Sequence, residues 1–87
     1  MDGRSLVAWN LRRIRTMRGL SQERLAYDAE VDRSYVGGLE RAEENPTVDV
    51  LTKLAHTLDV PLAELFKVPR PGAARPKALK PGRRPDR

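Results

Sequence analysis

Arg33, Ser34 and Tyr35 follow one another directly behind Asp32, where a short apolar pattern (Val36, Leu39) begins. Their types suit hydrogen-bonded recognition. An aspartate that caps a helix leaves the next side chains on an exposed first turn. From that turn an arginine can reach a groove floor and bind guanine O6 and N7 together, the commonest specific contact with DNA. The same side chain would also serve as a solvated surface arginine paired with Glu30 or Asp32. Ser34 can touch a base or a phosphate, and Tyr35 can offer its hydroxyl to a phosphate or pack beside Leu39. Gln22, directly after Ser21, repeats the arrangement: its amide lies with the unpaired N–H groups at a helix's positive end, which suits a phosphate. It is also a good helix former.

No other chemistry is assembled. The chain has no cysteine and a single histidine, His56, so no zinc set can form. Asp49, Asp59 and Glu64 are spread acids with no nucleophile–base partner. No catalytic residue, metal or cofactor is expected, and the chain does not read as an enzyme.

The elements that must position these residues are helical, since nothing alternates with period two. Val7, Leu11 and Ile14 mark a first helix over roughly residues 4–18, ended by Gly19. Ser21, Asp32 and Thr47 are N-caps for a second, third and fourth helix. The stripes are Leu25, Ala26 and Ala29; then Val31, Val36 and Leu39; then Leu51, Leu54, Ala55 and Leu58. Pro46 keeps Asn45 extended. Pro61 suits the first turn of a fifth helix bearing Leu62, Leu65 and Phe66. Helices two and three are too short to stand alone, since isolated helices below about 12–15 residues are marginal in water. Two short helices joined by a tight turn form the arrangement that presents side chains to a DNA groove.

Composition sets limits on partners and place. With 87 residues there is room for one small domain near the lower limit for a core without staples. Residues 1–66 carry nine Lys/Arg against eleven Asp/Glu, and residues 67–87 carry eight against one. The net charge of +5 thus belongs to the end of the chain. Five of the seven prolines lie in residues 69–87, which read as a flexible Pro/Arg/Lys-rich tail after a domain spanning 1–68. No apolar run approaches the length of a membrane span, about 20 residues, and MDGRSLVAWN lacks a signal core. A cytoplasmic protein without membrane association is expected.

Residues 5–66 resemble the lambda-repressor-like, or Cro/XRE, helix-turn-helix family. The resemblance is carried by Leu11–Ile14–Arg15, Gly19-Leu20-Ser21-Gln22 with Leu25-Ala26, and Val31 to Val36. It continues through Leu39-Glu40-Arg41, Asn45-Pro46-Thr47, and Leu54-Ala55 to Leu65. DRSYVGGLER followed by ENPT also looks like the small controller proteins of restriction–modification genes. The resemblance implies an all-α, compact five-helix bundle with the helix-turn-helix at helices two and three. It places Arg33, Ser34 and Gly38, with Tyr35 beside them, toward base edges. Ser21, Gln22, Arg41 and Asn45 stand toward phosphates, where Arg12 on helix one adds charge. Arg15 and Glu40 take the positions of a partly buried ion pair. Val60, Leu62, Leu65 and Phe66 take the positions of a dimer contact.

Three features depart from the family's habit. Glu30 and Ala42 stand where left-handed glycines are usual, and a non-glycine residue held there costs about 1–2 kcal/mol. Gly37-Gly38 interrupt the third helix, where relatives carry a polar or basic side chain at the second position. Such glycines would permit close approach of the backbone to DNA. Glu43 and Glu44 oppose a phosphate backbone, offset by Arg41, Arg12, Arg13, Arg18 and the tail. The expected function is a homodimeric, sequence-specific transcriptional regulator of double-stranded DNA with a roughly palindromic operator, and no small-molecule effector is indicated. The alternative is a protein-interaction module, antitoxin-like or an adaptor, with secondary DNA binding.

Overall fold

The computed structural model describes residues 1–73. Helix α1 spans Gly3–Met17, α2 Gln22–Ala29, α3 Arg33–Glu40 and α4 Val48–Thr57, followed by a 3-10 helix, Leu62–Phe66. No strand occurs among the described residues. Each α-helix starts on a side-chain cap. Asp2 accepts from the Ser5 amide at 2.8 Å, Ser21 from Arg24 at 2.9 Å, Asp32 from Ser34 at 3.1 Å and Thr47 from Val50 at 3.1 Å.

All four α-helices also end alike. A left-handed residue follows the last turn: Gly19 (φ 71°), Glu30 (φ 60°), Ala42 (φ 61°) and Asp59 (φ 59°). The next amide reaches back five residues, from Leu20 to Arg15, Val31 to Ala26, Glu43 to Gly38 and Val60 to Ala55, at 2.9–3.0 Å. This closure satisfies carbonyls that a helix end leaves open. The left-handed Glu30 and Ala42 expected from the sequence are therefore present, and Asp59 is a further case.

The expected fifth α-helix is instead a single 3-10 turn. Pro61 caps it (ψ 148°) rather than starting it, and Lys67 is already extended (ψ 127°). Val68 precedes Pro69, which disfavours a helical conformation there. The buried amide of Asn10 on α1 donates to the carbonyls of Leu65 at 3.1 Å and Lys67 at 2.8 Å, so those carbonyls are taken by a neighbour. Asn10 Oδ1 in turn accepts from Arg13, which also pairs with Glu64 at 3.2 Å.

One core joins the elements: Val7, Leu11 and Ile14 from α1 meet Leu25, Val36, Leu39, Leu51, Leu54, Leu58 and Leu65. Helix α1 packs on α3 and on the 3-10 helix, and α2 lies against α3 and α4. Trp9, off that stripe, is half-buried and lines a groove with Met17, Val68 and Pro69. Of the tail expected over 69–87, residues 69–73 run beside α1 and turn at Gly72 (φ 80°); residues 74–87 lie outside the described part.

Because Ala42 is left-handed, Ala42→Gly should relieve about 1 kcal/mol of backbone strain. Urea denaturation should show a raised midpoint with unchanged slope, and Glu30→Gly should act in the same direction. A lowered midpoint would contradict the strain assignment.

Candidate nucleic-acid interface

The interface is organised around one carboxylate. Glu40, the last residue of α3, has no exposed side-chain surface, and Arg15 is only 3% exposed beside it. Arg15 Nε donates to Glu40 Oε2 at 2.5 Å and its Nη2 to Oε1 at 2.8 Å. Arg15 Nη1 goes to the Leu20 carbonyl at 2.7 Å. Two more donors converge on Oε1, Gln22 Nε2 at 3.1 Å and Arg12 Nε at 3.3 Å. The expected ion pair is thus a four-residue cluster joining α1, the first residue of α2 and the last of α3. Burial pushes the Glu40 carboxyl up, but the Arg15 and Gln22 hydrogen bonds, the Arg15 charge and the Arg12 bond outweigh it. Its pKa lies below the ordinary 4.5.

Two guanidinium groups on one carboxylate leave a surplus positive charge at the N-terminus of α2. Unpaired amides and the helix dipole already favour an anion there. Arg12 is partly exposed, at 24%. The Gln22 amide has two N–H donors and uses one of them on Glu40. Both side chains are therefore held from behind with donor capacity to spare. Ser21 is exposed, with its hydroxyl oxygen accepting the Arg24 amide. Arg41 is exposed, pairs with Glu43 at 3.0 Å and lies over Gly37. Asn45 is exposed in the segment that leads into α4.

At the start of α3, Arg33 and Ser34 are exposed. Among the described residues Arg33 pairs with neither Glu30 nor Asp32. Asp32 is engaged instead by the amide and hydroxyl of Ser34. The hydroxyl's bond first, and the backbone bonds with it, hold its carboxyl below the usual range against the opposing effect of burial. Tyr35 packs half-buried against the core. Its hydroxyl is shifted up by burial and then by the negative charge of Glu44.

Two expected contacts are placed differently. Gly38 does not lie open to an approaching backbone: it is buried, and Glu44 is folded across it. Leu65 has no exposure and belongs to the chain's own core, so it has no surface for a partner. Val60 and Leu62 are half-buried against that core, and Phe66 remains 42% exposed. Asn10 was not anticipated, although an asparagine on the Val7–Leu11–Ile14 face is a visible signal. His56 is exposed on α4. Among the described residues no group of three or more His, Cys, Asp or Glu could hold a metal, and no helix is long and apolar enough to cross a membrane.

With this geometry in view, residues 11–65 match the family HTH_3, described as helix-turn-helix. The chain belongs to the helix-turn-helix family. The resemblance to Cro/XRE domains is thereby borne out. The uncharacterized HTH-type transcriptional regulator y4dJ of Sinorhizobium fredii is 42% identical over 65 residues, covering 75% of this chain and 84% of that protein. The control protein C.SmaI of Serratia marcescens is 38% identical over 66 residues, covering 76% and 79%. Among solved structures, the restriction-modification controller protein C.AhdI of Aeromonas hydrophila is 46% identical. It superposes with a TM-score of 0.71 over 72% of this chain and 96% of that one. A hypothetical transcription factor of Neisseria, NHTF, is 37% identical with a TM-score of 0.76, covering 78% of each chain. The helix-turn-helix itself is α2 and α3 with the left-handed Glu30 between them.

Removing Glu40 strands Arg15 in the interior, so Glu40→Ala should cost about 3–5 kcal/mol and leave the domain largely unfolded, as measured by calorimetry. The pH dependence has a definite sign. A lowered folded-state pKa gives stabilisation that is complete above the ordinary glutamate value and is lost as pH falls through the lower folded value. Glu40→Gln should therefore flatten the acid side of the stability curve. A Glu40→Ala variant melting like the wild type would refute the cluster's role.

Proposed function

We propose that the chain is a sequence-specific DNA-binding transcriptional regulator that binds a roughly palindromic operator as a homodimer. The observation that carries this reading is Arg33. It is an exposed guanidinium at the start of α3, with no ion pair to the acids beside it in sequence. It stands ahead of a rigid cluster that holds Gln22 and Arg12. In this reading α3 enters the major groove with Arg33 and Ser34 toward base edges and Tyr35 beside them. Ser21, Gln22, Arg12, Arg41 and Asn45 meet the phosphates.

Several observations support it. The relatives include proteins named as HTH-type transcriptional regulators and as restriction–modification controllers, and such a controller role fits this chain. The exposed Phe66, with the half-buried Val60 and Leu62, offers an apolar surface to a second copy. Two-fold pairing through it would set half-sites about 34–36 Å apart, one turn of DNA. The cationic residues after 66 add sequence-independent affinity that weakens with salt. A regulator of bacterial DNA would act in the cytoplasm.

Selection of binding sites from random DNA tests the proposal directly. The wild type should enrich a two-fold symmetric sequence, with affinity falling steeply as salt rises. Arg33→Ala should lose discrimination at one base pair per half-site, by about 1–3 kcal/mol, with an unchanged melting temperature. Absence of measurable duplex binding at low salt would favour a protein-interaction module instead.

A further inference from the structure

Gly37 and Gly38 leave α3 without side chains at two successive positions, and the residues that follow the helix fill both places. Arg41 Nη1 lies 3.1 Å from where a Cβ on Gly37 would stand. Glu44 Cγ and Oε2 each lie 2.8 Å from the corresponding point on Gly38. The backbone causes this return. Ala42 is left-handed at φ 61°, and the Glu43 amide donates to the Gly38 carbonyl at 2.9 Å, so the chain doubles back along the helix it has just left. No ion pair among the described residues holds Glu44 there, whereas its neighbour Glu43 is spent on Arg41.

The face on which Glu44 rests is the reading face. Gly38 stands four residues after Ser34 and three after Tyr35, spacings that put all three on one side of a helix. The effect of the Glu44 charge on the Tyr35 hydroxyl agrees with that placement. A carboxylate laid there can only accept hydrogen bonds. Guanine presents O6 and N7 to the major groove and thymine presents O4, all acceptors that would repel it. The donors in that groove are the exocyclic amines of cytosine and adenine. Adenine sets its N7 lone pair beside the amine, facing the second carboxylate oxygen, whereas cytosine has no acceptor next to its amine on that edge.

We infer that Glu44 is a base-reading residue, lent to α3 across Gly38, that accepts a hydrogen bond from the exocyclic amine of a cytosine in each half-site. The inference rests on the reading that α3 enters the major groove. Glu44 also disfavours every sequence that offers an acceptor at that point, so it sharpens selection while lowering affinity for random duplex.

The test is binding-site selection with the full chain as wild type, Glu44→Ala and Gly38→Ala. The wild type should select cytosine at one position per half-site. Glu44→Ala should lose that preference alone, by about 5- to 150-fold, while binding random duplex more tightly. Gly38→Ala keeps the carboxylate in the chain but places a methyl where it lies, so it should lose the same preference. If Glu44→Ala selects the wild-type sequence with undiminished discrimination, Glu44 is only an electrostatic screen and the inference is overturned. If the wild type enriches no sequence at all, the major-groove reading itself fails and takes the inference with it.

Discussion

The structure depends on one negative charge, the only one buried among the described residues. Glu40 closes α3, holds α1 through Arg15 and Arg12, and holds α2 through Gln22. Apolar side chains could fill the same volume and pack no worse, but they would not aim Arg12 and Gln22. The carboxylate does both, because a charge in the interior must collect donors from every element around it. The interior ion cluster and the outward donors are therefore two sides of one arrangement. Tying the helices together also sets the positions from which phosphates would be met.

A second constraint is how little chain joins the helices. Two eight-residue helices contribute little stability of their own, so their ends must be closed and their directions set by what they pack on. The left-handed closures at Glu30, Ala42 and Asp59 are strained residues that persist because the surrounding packing leaves no alternative. The C-terminal turn is set differently, through Asn10. Pro69 and Pro71 lack the N–H groups that a continuing α-helix would bring to the Leu65 and Lys67 carbonyls, and the Asn10 amide donates to those carbonyls instead.

Much of this was legible in the residues. The caps Ser21, Asp32 and Thr47, the apolar stripes and the left-handed Glu30 and Ala42 all follow from local rules that a single sequence displays. The Arg15–Glu40 pair was legible only through the family resemblance. Arg12 and Gln22 as its further members were not, since nothing in sequence spacing says that three donors share one oxygen pair. The expected fifth α-helix is a single 3-10 turn because Pro61 and Pro69 leave little room between them, and the donor that meets its Leu65 carbonyl, Asn10, comes from 55 residues away, which local rules do not display. Leu65 was assigned to a partner for a similar reason: leucines of core and interface look alike until the fold is known. The placement of Glu44 across Gly38 was not legible, because the sequence does not display a chain that turns back on its own helix.

Arg33 illustrates a division of labour with a consequence over longer times. The residues that hold the fold, Glu40 and Arg15 foremost, are enclosed and mutually obligate, so a change in one demands a change in the others. Arg33 holds up nothing. Its replacement alters no cap, no buried charge and no packed surface. If Arg33 reads bases as proposed, a lineage carrying this scaffold can drift from one recognition sequence to another by single exchanges, each foldable as it arises. Duplicated copies can diverge in their targets while the architecture beneath them stays frozen.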